Sequence, residues 1–202
     1  MFTKKLYGID LDGICFDFMH GFCNWLEEKV GVTVPDDEEI TSYYWFEVVD
    51  GLDKDTFWEE FHKFGNANGY RDLALLPGAK EGLESIIAAG HEVMYITNRP
   101  EYAFADTQVA LERHQFPFRE RLVFANGSKA PHIRENNVDV FIDDSPRTIA
   151  EIVANTEATV YCMDYPFNRA LHDLTGYVRV YNWDEFLTAE KINVIQGEAC
   201  GG

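Results

Sequence analysis

Positive charge is what this chain lacks most: 17 Lys and Arg stand against 35 Asp and Glu in 202 residues, a formal net charge of -18. A surface so poor in cations cannot neutralise rows of phosphates, which argues against nucleic acid polymers and anionic membrane surfaces as partners. Cysteine is also scarce. The four at positions 15, 23, 162 and 200 are scattered with no Cys-x-x-Cys pair, which excludes a zinc-site pattern and a dense disulfide framework and fits a reducing, cytoplasmic setting. The start of the chain, Met1 to Gly13, has only a brief apolar stretch before Asp10 and Asp12, which neither a secretory leader nor a transmembrane span would contain. The reading is a soluble, cytoplasmic protein, and its length suits one core domain carrying an insertion.

What is present is an alternation of strands and helices. Leu6 to Ile9 reads as a buried strand that ends on Asp10. Cys15, Phe18, Met19, Phe22, Leu26 and Val30 recur at steps of three and four, the spacing of an amphipathic helix that stops near Gly31. Pro35 to Gly69 is acidic and aromatic, with a helix near Thr56 to Phe64 and nothing resembling a sheet strand. A helix from Pro77-Gly78 to Gly90 then leads into a strand from Glu92 to Ile96. The alternation continues with strands near 122–124, 138–142, 159–162 and 178–181, separated by helices near 102–114, 131–136 and 146–153. Strands spaced by single helices predict an α/β fold, a doubly wound, Rossmann-like parallel sheet. The gap between the first two strands exceeds one crossover. The expected division is therefore a core of residues 1–13 and 78–195, a small helical cap of residues 14–77, and a frayed tail at 196–202.

Polar side chains fall at the ends of the predicted strands: Asp10-Leu11-Asp12-Gly13, Thr97-Asn98-Arg99-Pro100 and Asp143-Asp144-Ser145-Pro146. In an open parallel sheet these ends share one edge, where ligands bind. Carboxylates gathered there repel unless a hard cation sits among them, and oxygen-only ligands point to Mg2+. Magnesium also gives a phosphate dianion a positive destination inside an acidic protein, with Lys129 and Arg99 as candidate helpers. Phosphate with magnesium implies phosphoryl transfer. Asp10, already ionised, is the candidate nucleophile, and Asp12 the candidate acid and base for leaving oxygen and water. The Thr97 hydroxyl and the backbone N–H groups of Leu11, Asp12 and Asn98 are candidate phosphate donors, with Lys129 offsetting the charge that shifts.

Taken in order, Asp10-x-Asp12, Thr97, Lys129 and Asp143-Asp144 resemble the four motifs of the haloacid dehalogenase superfamily, over roughly residues 4–15 and 78–165. The resemblance implies magnesium held by Asp10, Asp143 and the backbone carbonyl of Asp12, a phospho-aspartate intermediate, and Asp144 orienting Lys129 or a metal-bound water. Asp10 to Gly13 followed by Phe18, with Ile96 to Pro100 and Ile142 to Asp144, is similar more particularly to the 5′(3′)-deoxyribonucleotidases. That similarity implies a nucleoside monophosphate, a deoxyribonucleotide above all, as substrate, and Phe18 as a wall against the nucleobase.

Each motif also has a plainer explanation. Thr97 suits a helix cap, Asp143-Asp144 a turn, Lys129 a solvated loop with Lys80 as its nearest rival, and the aromatics of the cap its own hydrophobic core. A calcium loop starting at Asp10 fails, because Ile14 and Gly21 stand where ligands are needed. The competing functions are a phosphatase for a sugar phosphate or other small metabolite, and a non-catalytic phosphate or magnesium-binding module. The sequence leaves the oligomeric state open, a homodimer included.

Overall fold

The computed structural model describes residues 3–194; the tail expected at 196–202, Cys200 included, lies outside them. Six strands form one sheet: β1 (Leu6–Ile9), β2 (Glu92–Thr97), β3 (Leu122–Phe124), β4 (Val140–Asp143), β5 (Thr159–Met163) and β6 (Tyr177–Val180). Their order is β3-β2-β1-β4-β5-β6 and every neighbouring pair is parallel. The predicted α/β architecture is the one the chain adopts. The chain works outward from β1 to one side as far as β3, then crosses to β4 on the other side, so β1 and β4 flank the point where the winding reverses.

The helices are α1 (Phe18–Lys29), α2 (Lys54–Asn66), α3 (Gly69–Asp72), α4 (Ala79–Ala88), α5 (Phe104–Arg113), α6 (Ala130–Glu135), α7 (Pro146–Asn155) and α8 (Trp183–Ala189). Period-two alternation in the strands decides which helices cover which face. Tyr7, Ile9, Val93, Tyr95, Val140 and Ile142 pack with Leu83 and Ile86 of α4, Leu111 of α5 and Phe186 of α8. Met94, Ile96, Phe141, Val160 and Cys162 point the other way, against Ile133 of α6 and Ile149 and Ile152 of α7. A sheet buried on both faces explains why its strands read as continuous apolar runs. Gly8 makes room in that second layer, since a Cβ there would stand 2.6 Å from the Phe141 ring.

Residues 14–77 contain α1, α2, α3 and two short 3-10 turns, Asp37–Glu39 and Trp45–Glu47. The outgoing and returning backbones pair with each other, Asp17 N–H donating to the Ala74 carbonyl and Leu76 N–H to that of Cys15, each at 2.9 Å. The first helix begins at Phe18 instead of Cys15, because the Asp17 carboxylate caps it by accepting from the His20 N–H at 3.1 Å. Phe22 anchors the segment, with ring centroids 5.3 Å from Trp45, 5.4 Å from Phe64 and 5.6 Å from Phe57. Burying rings of this size stabilises by roughly 1.5–3 kcal/mol each.

Candidate active site

The four motifs converge on the carboxyl edge of the sheet at the β1/β4 crevice. Asp10 follows β1, and its N–H still bonds the Ile142 carbonyl of β4 at 3.1 Å. Asp143 ends β4. Lys129 leads into α6 and sends its ammonium between the two, 2.7 Å from Asp10 Oδ1 and 2.6 Å from Asp143 Oδ2. All three are buried, Asp143 and Lys129 almost completely. The other Asp143 oxygen accepts the Ser145 N–H at 2.8 Å. Lys129, not Lys80, is thus the lysine at this edge; Lys80 faces Glu84 along α4.

Asp144 adds a third carboxylate. Oxygens of Asp10, Asp143 and Asp144 all lie within 4.8 Å of one another. Crowding at this distance has an electrostatic consequence. Burial, then the Asp143 and Asp12 charges, push the Asp10 carboxyl up to about 7 against the pull of Lys129. Burial and then Asp143 and Asp10 raise Asp144 well above the carboxylate range. Burial disfavours the Lys129 ammonium, yet Asp10 and Asp143 outweigh it and hold the proton more tightly than usual. One ammonium does not balance three carboxylates, so this oxygen-only cluster suits a hard divalent cation. Gly13 is required beside it: its φ is +76°, and a Cβ would stand 2.2 Å from Asp144 Oδ2.

Asp12 is held separately from this cluster. Arg99 grips it with both prongs, Nε to Oδ2 at 2.9 Å and Nη2 to Oδ1 at 2.7 Å. Arg99 is therefore committed to Asp12, which corrects its reading as a second cation for phosphate. Thr97 is buried, and its hydroxyl oxygen accepts the Arg99 N–H at 3.1 Å, which leaves the hydroxyl hydrogen available to a ligand. The Asn98 side chain is occupied structurally. It donates to the Gly127 carbonyl at 3.1 Å and accepts the Gly127 N–H at 2.9 Å, tying the end of β2 to the loop that delivers Lys129. What Asn98 has to offer a phosphate is its backbone N–H. Asp144 makes no hydrogen bond to Lys129 in the arrangement seen; it lies with the other carboxylates.

A cavity of about 400 Å³ opens from Asp10, Asp12, Thr97 and Asp144 toward residues 14–77. Phe18 lines it and stacks on Tyr70, centroids 6.0 Å apart and planes 16° from parallel. Tyr43, Tyr44, Trp45, Phe57, Trp58 and Phe61 line it too. The aromatics expected to be a hydrophobic core thus serve two ends, since Trp45 and Phe57 are buried in the core and also face the cavity. Sequence reasoning passed over two contributors. Tyr70 lies on α3, a helix too short to show periodicity, and Tyr165 donates its hydroxyl to the Gly13 carbonyl at 3.0 Å, fixing the loop after β1.

Residues 4–193 match the family model described as 5′ nucleotidase, deoxy (Pyrimidine), cytosolic type C protein. The chain belongs to this nucleotidase family. Relatives agree with the assignment. "Putative nucleotidase BH1399" of Halalkalibacterium halodurans is 27% identical over 182 residues, 90% of each chain. A nucleotidase of Clostridium acetobutylicum is 24% identical over 182 residues, 88% of each. Among solved structures, a haloacid dehalogenase family hydrolase from Deinococcus radiodurans, with bound phosphate and sodium, superposes with a TM-score of 0.64. At 18% identity, it covers 95% of this chain and 99% of its own and shares the fold. As a member of the nucleotidase family the chain is a haloacid dehalogenase-type phosphatase, an enzyme that hydrolyses phosphate monoesters. No helix among the described residues is long and apolar enough to cross a membrane.

Proposed function

We propose that this enzyme hydrolyses nucleoside monophosphates, deoxyribonucleotides above all, in a magnesium-dependent reaction through a phosphorylated Asp10. The observation that carries the reading is the continuity of the site: buried carboxylates around Lys129 at the bottom, and an aromatic cavity of about 400 Å³ directly above Asp10. That volume falls within the roughly 300–1,000 Å³ of small-molecule sites. The lining above the carboxylates is mostly flat aromatic ring, which suits a nucleobase.

The donor set fits magnesium: Asp10 and Asp143 would supply side-chain oxygens and Asp12 its backbone carbonyl, while Asp144, whose carboxylate lies within 4.8 Å of those of Asp10 and Asp143, would orient a metal-bound water. Bound there, the cation supplies charge neutralisation for the phosphoryl oxygens and keeps Asp10 ionised. The chain's own residues do the rest. An Asp10 oxygen attacks phosphorus as the bond to the leaving oxygen breaks, and that oxygen takes the proton of Asp12. In the second step a water attacks phosphorus and gives its proton to Asp12, while the bond to Asp10 breaks and inorganic phosphate departs. Thr97 and the backbone N–H groups of Leu11, Asp12 and Asn98 hold the other phosphoryl oxygens, and Lys129 balances the shifting charge. Phe18 and Tyr70 enclose the base.

In this reading residues 14–77 act as a cap over a core made of 1–13 and 78–195, hinged where the two linkers pair. Free Cys15, Cys23 and Cys162 fit a cytoplasmic enzyme. The test is phosphate release from deoxyribo- and ribonucleoside monophosphates beside sugar phosphates, each with magnesium and with chelator. The reading expects magnesium-dependent release with nucleotides preferred. Equal rates on sugar phosphates overturn the substrate assignment, and full activity in chelator overturns the metal.

A further inference from the structure

Arg99 is among the most deeply buried charged residues of the described chain, and its surroundings are built around one task. Its guanidinium lies between two rings, with its carbon 5.0 Å from the centroid of Phe16 and 4.8 Å from that of Tyr70. Nη1 donates to the Thr107 hydroxyl at 3.1 Å, and that hydroxyl donates on to the Ala103 carbonyl at 2.8 Å. The remaining two prongs meet the two oxygens of Asp12. The carboxylate it grips is not itself buried; it faces the cavity at 24% side-chain exposure. Burying a guanidinium costs several kcal/mol before compensation, and an ion pair to a part-buried carboxylate does little more than offset that cost. Stability alone is therefore a poor reason for the arrangement.

We propose that Arg99 is a positioning residue that fixes the Asp12 carboxylate at the leaving oxygen of the substrate, with Phe16, Tyr70 and Thr107 locking the guanidinium in turn. This inference rests on the reading of Asp12 as the acid and base. The fork fixes both the place and the plane of the carboxylate, which a single ammonium cannot do. Each Asp12 oxygen keeps a second lone pair, so the proton that moves to the leaving oxygen, and later returns from water, has a site beside the Arg99 contact. Phe16 belongs to the outgoing linker and Tyr70 to α3. The orientation of Asp12 therefore depends on residues 14–77 being docked, and the acid is in place only when the cavity above it is formed.

The experiment compares two substrates in the first turnover. A nucleoside monophosphate has an alkoxide leaving group that needs a proton, while p-nitrophenyl phosphate expels a stable phenolate that does not. Arg99→Met should slow phosphoryl transfer from the nucleotide by on the order of 100-fold, the cost of misplacing a catalytic group by about 1 Å. The p-nitrophenol burst should stay near the wild-type rate. Arg99→Lys, which keeps the charge and the fold but not the fork, should fall between the two on the nucleotide alone; it carries the test if the Met variant fails to fold. Equal losses on both substrates, or an Arg99→Lys enzyme indistinguishable from wild type, would overturn the proposal. A wild-type protein that releases phosphate from neither substrate refutes the proposed function itself, a different result from an active enzyme whose substrate ratio ignores Arg99.

Discussion

Replacing Asp10 with Asn should abolish turnover and, in the metal-free protein, make the fold more resistant to heat as pH rises. Burial beside Asp143 and Asp12 raises the Asp10 carboxyl from 3.8 to about 7. A group that holds its proton more tightly folded than unfolded favours the fold at pH below the unfolded value, and that contribution is lost as pH climbs through the folded one. The window here runs from about pH 4 to about pH 7. A gap of about three pH units, at about 1.4 kcal/mol each, sets a ceiling near 4 kcal/mol on the cost of ionised Asp10. Asn has the shape of the protonated carboxyl and never charges, so it escapes this cost. It also trades the charged 2.7 Å contact to Lys129 for one to a neutral amide oxygen, while Lys129 keeps Asp143. A net gain of about 2 kcal/mol then remains above pH 7, or roughly 4–8 °C in Tm for a chain of this size. Thermal unfolding of both proteins in chelator, at about pH 5 and about pH 8, reads this directly. The Asn variant should pull ahead at the higher pH, and added magnesium should restore wild type more than the variant. A variant that melts below wild type at high pH, or a difference that does not change with pH, would refute the reasoning.

Other substitutions separate the remaining roles. Asp12→Asn should lower turnover by about 10²–10⁴-fold, the worth of a positioned acid and base, with magnesium affinity unchanged in a calorimetric titration. Asp143→Asn should raise the magnesium concentration needed for half-maximal activity, and an unaltered requirement removes Asp143 from the metal's ligands. Phe18→Ala should weaken nucleotide binding by about 1–3 kcal/mol through lost stacking, seen as a raised KM, with no effect on inhibition by inorganic phosphate.

The chain announced its sheet clearly. Buried parallel strands produce apolar runs such as Val93 to Ile96 and Val140 to Ile142, and each ends abruptly on a polar residue because ligands bind at that edge. Asp10, Thr97, Lys129 and Asp143 were legible for that reason, their order along the chain matching the order of strand ends. The last helix, α8, went unread although it carries a capping signal, with Asn182 accepting from the Glu185 N–H at 2.9 Å and the Glu185 side chain reaching back to the Tyr181 N–H. Arg99 was misassigned because sequence shows a cation near a phosphate motif and not the carboxylate that claims it. The side chain of Asn98 was similarly invisible, since its partner Gly127 lies in a loop after a different strand. The cavity walls were the least legible part: a buried Phe57 and a cavity-facing Phe57 obey the same helical spacing, and only the packing of α1, α2 and α3 shows that it is both.

The central claim is that Asp10 carries the phosphoryl group between the two steps, and trapping it is the most direct test. Enzyme mixed with magnesium and a deoxyribonucleoside monophosphate, quenched in acid at short times and digested for mass spectrometry, should show one phosphoryl group on the peptide containing Asp10, rising and then falling as phosphate appears. Turnover with no labelled Asp10 at any time, or with the label on another residue, would contradict the account.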